Sequence, residues 1–240
     1  MPAKNRIKEY LEGGYYHLYN RGVNKNEIFT SELDYNVFLN YLKQYLLPID
    51  KELLKKNLAE ATNCVEKEKA LSQFKLRNFS EEITMLAFCL MPNHFHFLVK
   101  QKSAGGIDNF MNSIGTRYTM YFNKKHQRIG PLYQGVYKAV LVKNENQFLH
   151  LSRYIHKQAL RTKGQAFRAW QPSSYPVYAG AAAAAERRPL KWVKPEELLA
   201  YFSKTNPRLS YAAFVNEINI GDSLSFVSKV ALEDVEEDLP

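Results

Sequence analysis

The chain has 240 residues, 45% of them hydrophobic, so it is long enough to bury a sizeable core. No apolar run reaches the length of a membrane span and the first residues lack the apolar segment of a signal peptide, so we expect a cytoplasmic protein. The two cysteines, Cys64 and Cys89, predict neither a disulfide framework nor a cysteine metal motif. The net charge of +9 becomes +14 without the five acidic residues from Glu233 to Asp238. A body this basic suits a polyanion such as nucleic acid.

The first part of the chain predicts a strand, a helix and a polar insertion. Residues 15–23 predict a strand that ends in an Asn-Arg-Gly turn. Ser31 is placed to cap a helix that runs to about Leu47. The apolar stripe of this helix consists of Leu33, Val37, Phe38, Tyr41, Leu42 and Tyr45. Residues 50–79 are rich in Lys and Glu, and we expect them to form an exposed helical insertion.

Two strands and a long helix are predicted next. Residues 83–90 form a nearly continuous apolar strand, and a tight turn at Pro92 joins it to the following strand, residues 94–99, as an antiparallel hairpin. Apolar residues between positions 107 and 121 then recur at helical spacing and predict one face of a long helix with a basic end.

The last elements complete a recognisable order. Residues 136–142 predict a strand, and Asn144 is placed to cap a helix that runs to about Leu160. The order β-α-β-β-α-β-α predicts an α+β fold of the ferredoxin-like split βαβ type, an antiparallel sheet with helices on one face. We therefore expect one domain over residues 1–161, and a partly helical C-terminal extension with an acidic tail over residues 162–240.

The predicted strand that follows Pro92 carries two histidines two residues apart. Because side chains alternate along a strand, His94 and His96 project from the same face, while Phe95, Phe97 and Val99 point into a core. Two imidazoles on one rigid face are half of a metal site. An isolated pair of this kind is more often solvent-facing or hydrogen-bonded, so the rest of the site decides between the two interpretations.

The helix predicted after Asn144 can supply the other half. Tyr154 and Gln158 are four residues apart and share one face of that helix. If the helix docks near the histidines, Gln158 offers a carbonyl oxygen as a third ligand and Tyr154 lies close to the metal. Imidazole and amide oxygen together suit Mg²⁺ or Mn²⁺ acting on a phosphate oxygen, and a phenol in that position can attack the phosphorus.

Several segments, taken in their order along the chain, resemble the single-tyrosine HUH transposases of the REP-associated and insertion-sequence types. These segments are Tyr16 to Gly22, Ala87 to His96, Tyr118 to Asn123, Gly130 to Gly135, and Arg153 to His156. Three features depart from the family pattern, and one of them is the insertion at residues 50–79, which has no counterpart in the minimal fold. Gln158 and Ala159 stand where Asn-Pro is common in the REP-associated branch, and Gln is closer to the mobile-element transposases. Val136 stands where an arginine is frequent.

The resemblance implies a transposase that cuts and rejoins single-stranded DNA flanked by a hairpin, with no external energy source. It implies Tyr154 as the nucleophile, which forms a 5′-phosphotyrosine, and His94, His96 and Gln158 as ligands of Mg²⁺ or Mn²⁺. The expected partner is single-stranded or hairpin DNA in the nucleoid, and the expected state is a monomer or a homodimer.

A further group of residues is predicted to contact DNA. The candidate phosphate contacts are Arg21, Lys25, Arg117, Lys124, Lys125, Arg128, Lys138 and Arg153, and the tyrosines that could stack on unpaired bases are Tyr19, Tyr133 and Tyr137. For some of these basic residues a solvated surface is the simpler interpretation.

Three alternatives stay open at this point. One is a DNA-binding regulator on the same scaffold that binds repeat hairpins without cutting them. Another is a replication or conjugation initiator, although no helicase module accompanies the domain. Within the catalytic interpretation, Tyr118 is the second candidate for the nucleophile, but it lies on an apolar stripe and packing explains it better.

Overall fold

A four-stranded antiparallel sheet forms the centre of the protein, seen here in a computed structural model that describes residues 10–160, 172–179 and 190–217. Its strands are β1 (Tyr15–Arg21), β2 (Ile83–Met91), β3 (His94–Gln101) and β4 (Lys138–Val142). They are arranged in the order β2-β3-β1-β4, and every neighbouring pair is antiparallel. With the helices between them, these strands form the predicted ferredoxin-like α+β fold, and the predicted hairpin is the β2–β3 pair.

Eight α-helices accompany the sheet within the described ranges. They are α1 (Glu32–Leu46), α2 (Lys51–Glu60), α3 (Cys64–Lys75), α4 (Gly106–Lys125), α5 (Glu145–Leu160), α6 (Tyr175–Tyr178), α7 (Glu196–Leu199) and α8 (Tyr211–Asn216). Two predicted caps are present: the backbone N–H of Ser31 donates to Asp34 at 3.1 Å, and Asn144 accepts from the N–H of Gln147 at 2.9 Å.

The two faces of the sheet are covered by different helices. The two crossover helices, α1 and α4, lie on one face, where the ring of Phe38 is 5.8 Å from Phe95 and 6.3 Å from Phe97. Helix α5 lies across the opposite face and buries Leu151 and Ile155. The α1 and α4 layer is the one that the split βαβ pattern predicts, and α5 adds a second layer over the histidine side.

One detail of the predicted helix α1 is wrong. Leu33 was expected on the buried stripe, but 57% of it is exposed. The buried side is centred on Tyr35, Phe38 and Leu42, and Leu33 lies on a different side of the helix. The later members of the predicted stripe, Phe38, Leu42 and Tyr45, are buried as expected, so the error is confined to its first residue.

The polar insertion forms two helices, α2 and α3, as expected for residues 50–79. Within the described structure they are mostly exposed, with Leu54 and Ala70 as their buried apolar residues. The chain leaves the core and returns to it at one place, because the Asn78 amide donates to the carbonyls of Gln44 (3.0 Å) and Leu47 (2.7 Å). The insertion is therefore an appendage on the end of α1.

The described parts of the C-terminal extension pack against the sheet edge and α5. Trp192 stacks on Phe88 with ring centroids 5.0 Å apart, and the N–H of Lys194 donates to the carbonyl of Met85 at 2.8 Å. The division at residue 161 stays a prediction, and the acidic tail lies outside the described residues. None of the described helices is long and apolar enough to cross a membrane.

Candidate functional site

The register of the sheet collects the candidate residues on one face. Tyr19 pairs with His96 across the β1–β3 ladder and with Lys138 across the β1–β4 ladder. Arg21 pairs with His94 at the end of the same ladder. Directly opposed residues share a face, so both histidines and these two basic residues lie on the side of the sheet that α5 partly covers.

His96 is buried and has one nitrogen left unsatisfied. It is 5% exposed, and its Nδ1 lies 3.0 Å from Nε2 of His17, which is fully buried. Its Nε2 is buried and has no hydrogen-bond partner among the described residues. Burial lowers the pKa of His96 well below its usual range, and the nearby His94, His17 and Arg21 add to this effect. The ring is therefore neutral at physiological pH, the state in which imidazole binds a metal.

His94 is oriented in a comparable way by its neighbour in the chain. Its Nδ1 lies 2.5 Å from Oδ1 of Asn93, and because an amide oxygen can only accept, this nitrogen carries the proton. The lone pair of the neutral ring is then on Nε2. The His94 and His96 rings are 4.9 Å apart and nearly perpendicular. The strand thus places two imidazoles side by side, as its alternation predicted.

Helix α5 brings Tyr154 to these histidines. The Tyr154 ring lies 5.4 Å from that of His96 and 6.5 Å from that of His17, both edge to face. Gln158 is half-buried one turn further along the same unbroken helix. Helix α5 therefore docks near the histidine strand, as predicted.

Among the described residues, histidine, cysteine and carboxylate side chains do not form a metal site by themselves. A divalent cation at His94 and His96 would need a further ligand of another kind, such as an amide oxygen. Within the described ranges, no group of three or more His, Cys, Asp or Glu side chains is arranged to hold a metal ion. The unsatisfied Nε2 of His96 nevertheless marks a place where a buried polar atom lacks a partner among the described residues. Gln158 has the right chemistry to complete a set with His94 and His96.

The predicted DNA contacts fall into separate groups. Arg21, Lys25 and Lys138 lie at the His94 end of the sheet, where the Asn93 amide donates to the carbonyl of Lys25 at 3.3 Å. The loop after α4 is tied to this end, because the N–H of Val23 donates to the carbonyl of Leu132 at 3.0 Å. Helix α4 also reaches this end, because Ile28 accepts from the Tyr118 hydroxyl of α4 at 2.6 Å and donates its N–H to the carbonyl of Pro92 at 2.8 Å.

The basic end of α4 consists of Lys124, Lys125 and Arg128. Lys124 is exposed, whereas Lys125 forms an ion pair of 2.7 Å with the fully buried Asp34. The guanidinium of Arg128 lies 5.7 Å from the ring centroid of Phe122. Lys125 therefore has a structural role at the start of α1 in addition to any contact with DNA.

Other candidates are engaged inside the protein. Arg117 stacks on Tyr41, 3.9 Å from the ring centroid, in the α1 and α4 layer away from the histidines. Arg153 is 2% exposed, lies over Phe214 and pairs with Glu217 of the C-terminal extension. In this arrangement neither guanidinium is presented to a ligand on the histidine face.

Two of the three candidate stacking tyrosines are also held internally. Tyr137 is 5% exposed and its hydroxyl donates to Asp108. Tyr133 packs edge to face on Phe95 at 6.0 Å, and its hydroxyl is buried. Tyr19 is half-buried on the histidine face and stacks on His17 at 4.8 Å. Of the three, Tyr19 is the one placed beside the site.

Sequence reasoning missed the partners of the two histidines. The sequence patterns assign no role to either His17 or Asn93. Asn93 could have been found, since it is adjacent to His94. His17 lies 79 positions from His96, so only the register of β1 against β3 brings them together.

Comparison with known proteins supplies independent information about this segment. Residues 59–158 match the model of the family described as "Transposase IS200 like". The match includes both histidines of β3, Tyr154 and Gln158, and it ends at Gln158. The comparison with curated proteins gave no significant match.

Two solved structures are similar to the chain at low sequence identity. One is a REP-associated tyrosine transposase bound to a REP hairpin, with 12% identity, covering 80% of this chain and 92% of that one at a TM-score of 0.44. The other is a protein from Deinococcus radiodurans R1 described as a transposase, with 17% identity, covering 64% and 97% at a TM-score of 0.27. Both TM-scores are below 0.5, which is too low for either likeness to support a conclusion about this chain.

Proposed function

We propose that the chain is a transposase of the IS200-like family, whose model matches residues 59–158, and that it cuts and rejoins single-stranded DNA beside a hairpin, with Tyr154 as the nucleophile. The observation that carries the proposal is the placement of Tyr154 5.4 Å from His96, whose buried Nε2 has no partner among the described residues. A protein that only binds DNA has no use for this combination.

In the proposed reaction, the phenolic oxygen of Tyr154 attacks a DNA phosphorus. The phenol loses its proton, the bond from phosphorus to the 3′ oxygen breaks, and that oxygen leaves as a 3′-hydroxyl. The DNA on the other side of the cut stays joined to the protein as a 5′-phosphotyrosine. The new ester conserves the energy of the broken one, so attack by a 3′-hydroxyl reverses the step and joins strands.

His94, His96 and Gln158 are the residues that would hold Mg²⁺ or Mn²⁺ in this site. The ion, when bound, polarises a phosphate oxygen and neutralises charge on the phosphorus centre. The protein's own contribution is to fix the two imidazoles on a rigid strand and to hold Tyr154 over them. Orientation of the reacting groups accounts for much of the rate in phosphoryl transfer.

The DNA is proposed to enter at the His94 end of the sheet. Arg21 and Lys138 lie on the same face as the histidines, and Lys124 is exposed at the nearby end of α4. These charges can neutralise phosphates on both sides of the cleaved bond. Tyr19, stacked on His17 between them, offers a ring for an unpaired base.

An adduct assay with end-labelled DNA tests the proposal and its polarity together. The full-length protein is mixed with a pool of hairpin-flanked single strands, labelled at either the 3′ or the 5′ end, with Mn²⁺, Mg²⁺ or EDTA. We expect a labelled protein band on a denaturing gel for the 3′ label alone, and only with metal. The 5′ label is expected on a shorter free product.

Two variants make the assay specific. Tyr154→Phe is expected to abolish the adduct, and Tyr201→Phe, which changes an exposed tyrosine of the C-terminal extension, is expected to leave it unchanged. Salt-dependent binding of hairpins by the wild type without any adduct would favour the regulator instead. An adduct carrying the 5′ label would reject the proposed polarity.

A further inference from the structure

We propose that His17 is a positioning residue for the metal site, which holds His96 in the tautomer that can bind a metal ion. The inference rests on the proposed function, because it assigns a purpose to a contact of a proposed ligand. It concerns a residue outside the segment that matches the family model, residues 59–158.

The contact itself joins two buried rings on adjacent strands. Nε2 of His17 lies 3.0 Å from Nδ1 of His96, and the two rings are stacked at 5.1 Å with an interplanar angle of 23°. His17 is fully buried, and its ring lies 6.5 Å from that of Tyr154 on α5 and 4.8 Å from that of Tyr19. A polar side chain so deep in the protein is costly unless it makes a defined hydrogen bond.

The direction of that hydrogen bond decides what His96 can do. When two neutral imidazole nitrogens lie 3.0 Å apart, one of them carries the proton and donates it, and the other accepts. If His17 donates it, the other nitrogen of the neutral His96 ring carries a hydrogen, and this buried Nε2–H has no acceptor. If His17 accepts, Nδ1–H belongs to His96 and its Nε2 holds a lone pair. Only the second arrangement gives a ligand.

The second arrangement also matches the neighbouring histidine. Asn93 accepts the Nδ1 proton of His94, so that ring too presents its Nε2 lone pair. Each proposed ligand would then be fixed through Nδ1 by a separate acceptor, one from the turn and one from β1. Such partners of ligand histidines set the tautomer and the ring orientation, and their loss typically weakens metal binding by about 10- to 100-fold.

Two substitutions separate the hydrogen bond from simple packing. His17→Phe fills a similar space but cannot accept a proton, so Mn²⁺ affinity is expected to fall by about 10- to 100-fold. His17→Gln retains an acceptor and is expected to keep the affinity within about threefold of the wild type, a difference of about 0.6 kcal/mol. His126→Phe removes a half-buried histidine at the end of α4 and serves as the matched control.

The experiment combines Mn²⁺ titration with nitrogen NMR of the histidine rings in the metal-free, full-length protein. We expect His96 in the wild type to be the Nδ1–H tautomer. We expect His17→Phe to lose this preference together with Mn²⁺ affinity, with the fold verified by circular dichroism. His17→Gln should preserve both, and His126→Phe should change neither.

The possible failures are distinguishable. An Nε2–H tautomer of His96 in the wild-type protein overturns the role of His17 without any variant and without any metal. Equal Mn²⁺ affinity in the wild type and a folded His17→Phe variant overturns it as well. If instead the wild type shows the Nδ1–H tautomer but neither binds Mn²⁺ nor forms the adduct, the proposed function has failed, and with it the purpose assigned to His17.

Discussion

The histidines at the centre of the candidate site show how burial would prepare an imidazole for the proposed metal ion. Burial lowers the pKa of His96 well below its usual range, so no proton has to be displaced from this ring at neutral pH. The cost is a buried nitrogen without a partner among the described residues. A buried polar atom without a hydrogen-bond partner costs about 1–3 kcal/mol, and a metal ion bound at Nε2 would offset this cost.

At the same scale, the third ligand can be tested by changing one side chain. Gln158→Leu keeps the shape of the helix surface and removes the carbonyl oxygen, so Mn²⁺ affinity is expected to fall by at least about tenfold. Gln158→Glu places a carboxylate at the same position, and we expect it to bind Mn²⁺ at least as tightly as the wild type, because the carboxylate is also an oxygen ligand and adds a negative charge. Calorimetric titration of the three proteins measures this order, and unchanged affinity in the Leu variant would remove Gln158 from the site.

Helix α5 is the most important element of the candidate site because it carries Tyr154. Its buried side is anchored by the C-terminal extension. His156 on its buried side is fully enclosed, with Nδ1 2.6 Å from the Tyr211 hydroxyl and Nε2 2.7 Å from the Ser174 hydroxyl. Arg153 pairs with Glu217 one turn away from this contact. The C-terminal extension thus fixes the helix whose opposite side faces the histidines.

This anchor predicts a pH dependence of stability. Burial lowers the pKa of His156 to about 3, whereas the unfolded chain takes up a proton near pH 6.5. Between these values the unfolded state binds more protons, so stability is complete above pH 6.5 and is lost as pH falls towards 3. Between pH 6.5 and 4.5, we expect the free energy of unfolding of His156→Gln to fall by about 2 kcal/mol less than that of the wild type, as measured by urea unfolding. Equal losses in both proteins would contradict the assigned burial of His156.

The inserted helices α2 and α3 are expected to contribute little to the stability of the protein. Both ends of the insertion meet at Asn78, whose amide bonds to carbonyls at the end of α1. Replacing residues 51–75 by a short Gly-Ser linker is therefore expected to change the free energy of unfolding by about 1 kcal/mol or less, because closing a shorter loop costs slightly less entropy. Adduct formation should persist. Loss of the fold or of the adduct would show that the insertion has a role in the core or in the site.

The elements were predictable from the sequence to a much larger extent than the contacts between them. Alternation along β3 placed His94 and His96 on one face, and the four-residue spacing on α5 placed Tyr154 with Gln158, because both patterns are local. The burial of Arg153 was not visible, since its partner Glu217 comes from a segment 64 residues later. The role of His17 depends in the same way on the register between two strands.

For the molecule as a whole, the main feature is the separation of its two sheet faces. One face forms the core with α1 and α4, and the other carries the histidines between α5 and a basic end of the sheet. In the proposed function, the positive charge of the body would attract DNA over a long range, while the residues at that end would determine where phosphates lie. These two contributions differ in their salt dependence.

A pair of double variants separates them. Arg21→Gln with Lys138→Gln is expected to weaken single-strand binding and to reduce the slope of log affinity against log salt by about 1.4, or about 0.7 per lost phosphate contact. Lys55→Gln with Lys56→Gln removes the same charge from the exposed helix α2, where both lysines pair with glutamates, and is expected to leave the slope nearly unchanged. Fluorescence anisotropy over a range of salt concentrations gives both slopes. Equal reductions would mean that only net charge matters.

The central claim concerns one atom, the phenolic oxygen of Tyr154. The most direct measurement is mass spectrometry of the protease-digested adduct formed with hairpin-flanked single-stranded DNA and Mn²⁺. The account predicts that the nucleotide is found on the peptide that contains Tyr154 and on no other. Tyr118 offers the clearest contrast, because it is fully buried and its hydroxyl donates to the carbonyl of Ile28 at 2.6 Å. DNA attached to Tyr118, or to any residue other than Tyr154, would contradict the account.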